Sequence, residues 1–116
     1  MSNQRTDVEE LASLLREGRI KEFCELLRGA PAYLENAKLR SSDLRSAPLQ
    51  GACLRGAYLR TADLRGLDLS DADLDGASIN NAKVSGTRFP DNLSPEEIQM
   101  SLRFGTRMRA RRPDAG

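Results

Sequence analysis

Every fifth residue from Leu34 to Phe89 is large and apolar. The series runs Leu34, Leu39, Leu44, Leu49, Leu54, Leu59, Leu64, Leu69, Leu74, Ile79, Val84, Phe89, twelve cycles without a slip of register. Two positions before each stands a small residue, usually Ala, with exceptions at Ser42, Leu67 and Thr87. A period of five fits neither the 3.6 of an α-helix nor the 2 of a β-strand. The segment must therefore bury one apolar residue per five by some other path.

A chain that turns about 90° every five residues closes a square coil in four repeats, with successive coils ~4.8 Å apart at the β-ladder spacing. The large residue and the small one two before it then point inward, and the other three positions face water. Small residues are needed at the second inward position because a coil this narrow cannot hold two large ones. Gly51, Gly56, Gly66, Gly76 and Gly86 end their repeats, where the backbone has to turn sharply. Leu67 is the misfit, a large residue between Ala47 and Thr87, and a local bulge or widened coil is expected there.

The A(D/N)LXX pattern, as in Ala62-Asp63-Leu64-Arg65-Gly66 and Ala72-Asp73-Leu74-Asp75-Gly76, resembles that of the pentapeptide-repeat proteins. The resemblance covers residues 32–91. It implies a mainly β fold, a right-handed quadrilateral β-helix of about three coils, and the handedness comes from the family alone.

The flanks read as caps. Residues 1–31 form an N-terminal helical cap with helices expected over 8–16 and 19–28. Thr6 and Glu9 have capping-box spacing, Gly18 separates the two, and Gly29 and Pro31 end the second. Leu11, Leu14 and Leu15 lie on one helical face, and Phe23 and Leu27 on another. Residues 92–105 carry a C-terminal helix, with Ser94 as cap, Pro95 first, Glu97 closing the box and Gly105 terminating. Ile98, Leu102 and Phe104 give it an apolar aspect that either seals the last coil or makes a homodimer, as the family resemblance implies. Residues 106–116, rich in Arg, are expected to be a flexible basic tail.

Chemistry is thinly represented. The chain has no histidine, no serine or cysteine in a nucleophile context, and no glycine-rich phosphate loop. An enzyme is not expected, nor any cofactor. Cys24 and Cys53 form no CxxC pair, so a zinc site is not expected and a reducing cytoplasm is the default setting. Asp68, Asp71, Asp73 and Asp75 form an acidic edge that reads as a solvated surface rather than a metal site. No run approaches the roughly 18 apolar residues of a membrane span.

Arginine is what remains. The position after the large residue carries Arg40, Arg45, Arg55, Arg60 and Arg65, with Arg40 stacked on Arg60, Arg45 on Arg65, and Arg55 between Glu35 and Asp75. Asp43 and Asp63, two residues before Arg45 and Arg65, can neutralise that side, whereas Arg40 and Arg60 have Lys38 and Tyr58 in those places. These arginines form a basic patch for a carboxylate- or phosphate-bearing protein partner, or else only solvate the rod. The leading expectation is a non-enzymatic binding module or scaffold for an unidentified protein. The family resemblance adds a DNA-mimic that regulates or protects DNA gyrase, although such mimics are long and acidic and this chain has net charge +1. The Arg-rich tail adds a third possibility, nucleic acid, which the balanced charge disfavours.

Overall fold

Residues 4–111 are described by the structure, a computed structural model. Two helices open it, α1 (Gln4–Arg16) and α2 (Ile20–Leu27). Thr6 lies inside α1 rather than at its cap, so the expected capping box is not the start of this helix; the Thr6 side chain lies outside the described residues. Glu9 accepts from Arg16 at 2.8 Å instead. The two helices bury Leu11, Leu14, Leu15 and Phe23 against the first coil. Arg16 Nη1 fixes the seat by donating to Lys38 O at 2.7 Å.

The repeat closes every twenty residues. Parallel backbone bridges join Tyr33 to Cys53 to Asp73, Lys38 to Tyr58 to Ser78, Asp43 to Asp63 to Lys83, and Asp68 to Arg88. Each coil thus has four sides: one (33–35, 53–55, 73–75), two (38–40, 58–60, 78–80), three (43–45, 63–65, 83–85) and four (48–50, 68–70, 88–90). The expectation of a mainly β chain needs correction on one point. Among the described residues the β character is confined to isolated bridges, and the continuous elements are the three helices. A turn after every fifth residue confines the pairing on each side to one bridge residue and its immediate neighbours.

The core is the apolar ladder. Every large inward residue from Leu34 to Ile79 is buried, while Val84 and Phe89 at the far end are half-buried. Thr87, at a position where Ala is the rule, uses its hydroxyl to donate to Leu64 O at 2.6 Å. Gly56 shows why glycine serves at a corner. Its φ is +66°, and a Cβ there would meet Asn36 Oδ1 at 2.1 Å.

The ladder is interrupted beside Leu67. Bonds of the kind Leu44 N to Asp63 O (3.0 Å) and Asp63 N to Ser42 O (2.9 Å) recur on three sides. Among the described residues they are missing between 46–51 and 65–70. Above that gap they resume, with Arg88 N to Leu67 O at 2.9 Å. The buried Leu67 side chain takes space that Ala leaves free elsewhere, and the irregularity expected there takes the form of this gap.

Helix α3 (Pro95–Phe104) begins as expected, with Ser94 Oγ accepting from Glu97 N at 3.2 Å, and ends at Gly105 with φ 76°. The Glu97 side chain does not close a capping box. It accepts from Arg109 N at 2.9 Å. This introduces the larger correction, because residues 106–111 are bound to the coil rather than forming a loose tail. Met108 is fully buried, donating from its amide to Ala77 O (2.8 Å) and accepting from Gly76 N (2.6 Å). Arg112 lies outside the described residues.

Among the described residues the C-terminal cap bonds mainly to the backbone of sides one and two. Ser101 Oγ accepts from Ile79 N at 2.9 Å and Leu102 O from Asn81 N at 3.0 Å, so α3 satisfies donors that a further coil would otherwise take. On side three, the amides of Val84 and Gly86 have no hydrogen bond among the described residues. Among those residues no helix is long and apolar enough to cross a membrane.

Candidate binding surface

Outward positions of the same register differ sharply from side to side. On side three, Asp43 Oδ1 accepts from Arg45 N (3.2 Å) and Nε (2.9 Å), and Oδ2 accepts from Nη2 (2.9 Å). Asp63 repeats this geometry on Arg65 at 3.2, 2.9 and 2.7 Å. Arg45 Nε also reaches Asp63 across the coil gap at 3.3 Å. The two-residue spacing lets one carboxylate take both the backbone amide and the guanidinium fork.

Protonation follows from that geometry. The Arg45 side chain, and then its amide, hold the Asp43 carboxyl down at about 2. Asp63 is held lower still, mainly by the Arg65 side chain. Arg45 and Arg65 are raised in turn by the same bonds. Side one has its own version, in which Arg55 Nη1 lies 3.4 Å from Asp73 and 3.7 Å from Asp75 and is raised chiefly by the Asp73 hydrogen bond.

Side two lacks all of this. Of the six arginines in the repeat, Arg40 and Arg60 alone have no ion pair among the described residues. They stand one coil apart, a spacing at which two like charges repel by about 0.9 kcal/mol in water. Arg107 joins them from the C-terminal segment. Its guanidinium lies 5.2 Å from the Tyr58 ring centre, Nη2 donates to Tyr58 Oη at 2.9 Å, and Nη1 donates to Gly76 O at 3.2 Å. A cation over an aromatic face is held by the ring quadrupole as well as by hydrogen bonds.

Phe104 completes the groove. It is the last residue of α3, 66% exposed, and lines a cavity of about 360 Å³ with Arg40, Arg60, Tyr58 and Arg107. Ile98 and Leu102, named with Phe104 as cap or dimer contacts, pack half-buried against the core. The helix therefore divides its apolar residues, Ile98 and Leu102 sealing the coil and Met100 and Phe104 facing out.

The five arginines named from the sequence do not form one patch. Arg45 and Arg65 share side three, Arg55 belongs to side one, and Arg40 and Arg60 make side two. Arg107 and Tyr58 were missed as site residues, because the contact between them closes over 49 positions of chain. One signal was present: Arg107, Met108, Arg109, Ala110 and Arg111 alternate polar and apolar, the period of a half-buried edge.

The acidic edge is dispersed. Asp68 accepts from Ser70 Oγ at 2.6 Å, which lowers its pKa, and Asp75 accepts from Ala110 N at 2.9 Å. Among the described residues no group of three or more His, Cys, Asp or Glu is arranged to hold a metal ion. The free Cys24 is exposed and the free Cys53 half-buried.

Residues 32–60 and 52–89 match the family model for pentapeptide repeats (8 copies). The chain matches no curated protein and no solved structure.

Proposed function

Because this chain belongs to the pentapeptide-repeat family, we propose that it is a non-enzymatic binding module whose side two docks an anionic surface of a protein partner. The coil is then the family's right-handed quadrilateral β-helix, serving as a rigid scaffold for outward side chains. One observation carries the reading. Among the described residues Arg40 and Arg60 stand without carboxylates, while the other arginines of the repeat carry them. Unpaired like charges stacked on a rigid frame are costly in the free protein, and a carboxylate from outside relieves that repulsion. Tyr58 and Phe104 beside them are the residue types that anchor interfaces.

A gyrase-directed duplex mimic would present acidic side chains, and side two presents the opposite sign. A free nucleic-acid arm at 106–111 is not available either, since that segment is bound to the coil. The proposal places the module in a reducing cytoplasm, where Cys24 and Cys53 remain thiols.

Affinity purification from native lysate tests the reading. Wild-type protein and the Arg45→Ala/Arg65→Ala variant should retain the same partner, and Arg40→Ala/Arg60→Ala should lose it. Equal retention by all three would remove side two from the binding surface.

A further inference from the structure

We propose that a second copy of this chain is an occupant of side two: the exposed Phe104, with its three arginines, seats in the glutamate-rimmed cleft between α1 and α2 of the neighbouring copy. The inference rests on the reading of side two as a docking surface and gives it a specific partner.

The receiving cleft is built into the N-terminal cap. It measures about 1000 Å³, with Leu14 and Leu26 among its lining and Glu9, Glu10, Glu22 and Glu25 around them. Leu26 is 46% exposed although its helix is only eight residues long. Helix α2 turns Phe23 into the core and holds Leu26 outside, so it presents an apolar spot to water that its own chain does not cover. Glu9 and Glu22 are engaged by Arg16 and Arg19, and the Arg19 contact holds the Glu22 carboxyl below its ordinary range. Glu10 and Glu25 have no ion pair among the described residues.

The inserting surface is the converse. Phe104 is the most exposed large apolar residue described, and Arg40, Arg60 and Arg107 line the groove beside it with no carboxylate in its lining among the described residues. The cleft lining carries four glutamates against two arginines. An aromatic meets a leucine-lined hollow, and guanidiniums surrounding the first meet carboxylates surrounding the second. Apolar contact at the centre and the opposite charges around it both supply affinity, and the charges also set orientation and encounter rate. The two surfaces are different parts of the chain, so the contact is heterologous. Copies then add head to tail, closing into a ring only if the rotation between them permits.

Sedimentation velocity at low ionic strength, across a range of protein concentration, tests this. Wild type should associate in a concentration-dependent way, and added salt should reverse it through screening of the charged surround. Phe104→Ala should weaken association by about thirtyfold, the effect of a central anchor. The neutralised groove (Arg40→Ala/Arg60→Ala) and the neutralised cleft (Glu10→Gln/Glu25→Gln) should each be monomeric alone. Mixed in equal amounts they should form a dimer and nothing larger, because one supplies only a cleft and the other only a groove.

A strictly monomeric wild type would overturn the proposal, as would continued association of the cleft variant, which would place the contact elsewhere. Wild type that stays monomeric while Arg40 and Arg60 still decide retention of another protein would sink the self-contact and leave the docking reading intact. If neutralising those arginines changes neither property, both readings fail together.

Discussion

Sides two and three of the coil share the same path, inward leucines in their first two coils and the same arginine register, yet they present opposite surfaces. On side three a carboxylate two residues before each arginine neutralises it; on side two that place is held by Lys38 and Tyr58. One position in five therefore decides whether a side of this protein is inert or charged. The ladder accepts either choice, because the same backbone bridges form on both sides.

The first way to break this comparison is to disturb what the two sides share. Leu59 lies under side two and Leu64 under side three, both in the middle coil and both essentially unexposed. Leu59→Ala and Leu64→Ala should each destabilise by about 2–5 kcal/mol through lost burial and the residual cavity. Urea unfolding should give values within about 1 kcal/mol of each other. Unequal losses would mean that the sides differ inside as well as out.

The second way is to turn one side into the other. Lys38→Asp/Tyr58→Asp would install on side two the carboxylates that side three already has. Arg40 and Arg60 should then close onto them, and affinity for the side-two partner should fall by roughly thirtyfold or more, the loss typical of removing an interface anchor. The ladder should be retained, since Asp43 and Asp63 make the same bridges at the equivalent positions, while Arg107 loses its seat on the Tyr58 ring. Unchanged affinity, measured by titration, would show that the unpaired arginines are not what binds.

How much of this was legible in the sequence depends on how far apart the interacting residues lie. The core could be read because each inward residue announces itself every five positions. The neutralised side could be read because Asp43 and Arg45 are two residues apart. The corner glycines and the Ser94 start of α3 are local in the same sense. Arg107 over Tyr58 and Met108 under the last coil could not be read, since those contacts exist only once three coils and a helix have been stacked. The outward turn of Phe104 was also hidden: helical spacing places it near Ile98 and Leu102 in sequence, and only the position of Ser101 against Ile79 decides which residues of α3 face the coil.

Acid offers a gentler probe of side three. The folded protein holds Asp43 at about 2 against an ordinary 3.8, and Asp63 below its ordinary value as well. A carboxyl depressed in the folded state binds its proton more readily when unfolded, so its contribution is present above about pH 4 and is lost as pH falls through the folded value. The urea midpoint should therefore hold steady from neutral pH to about 4 and decline toward 2. Asp43→Asn/Asp63→Asn should start lower and decline less steeply. Some slope should persist, because Asp68 and Glu22 are also depressed. A variant with the full wild-type slope would place the acid sensitivity outside side three.

The smallest effect is the most discriminating between the sides. Arg60→Ala removes an exposed cation that has no ion pair among the described residues and stands one coil from Arg40. Its effect on stability should lie within about 0.5 kcal/mol of zero, with the sign favouring the variant because a like-charge contact is relieved. Arg65→Ala should go the other way. Asp63 has a side chain only 13% exposed, and it would lose the Arg65 fork at 2.7 and 2.9 Å while Arg45 remains at 3.3 Å. Thermal melts at low and high salt separate the two cases. The gain in Arg60→Ala should fade with salt, as exposed-charge repulsion does, while the loss in Arg65→Ala should persist in part because its hydrogen bonds are not screened away. If both substitutions destabilise alike, Arg60 has a partner in solution after all, and side two is a second neutralised surface rather than an open one.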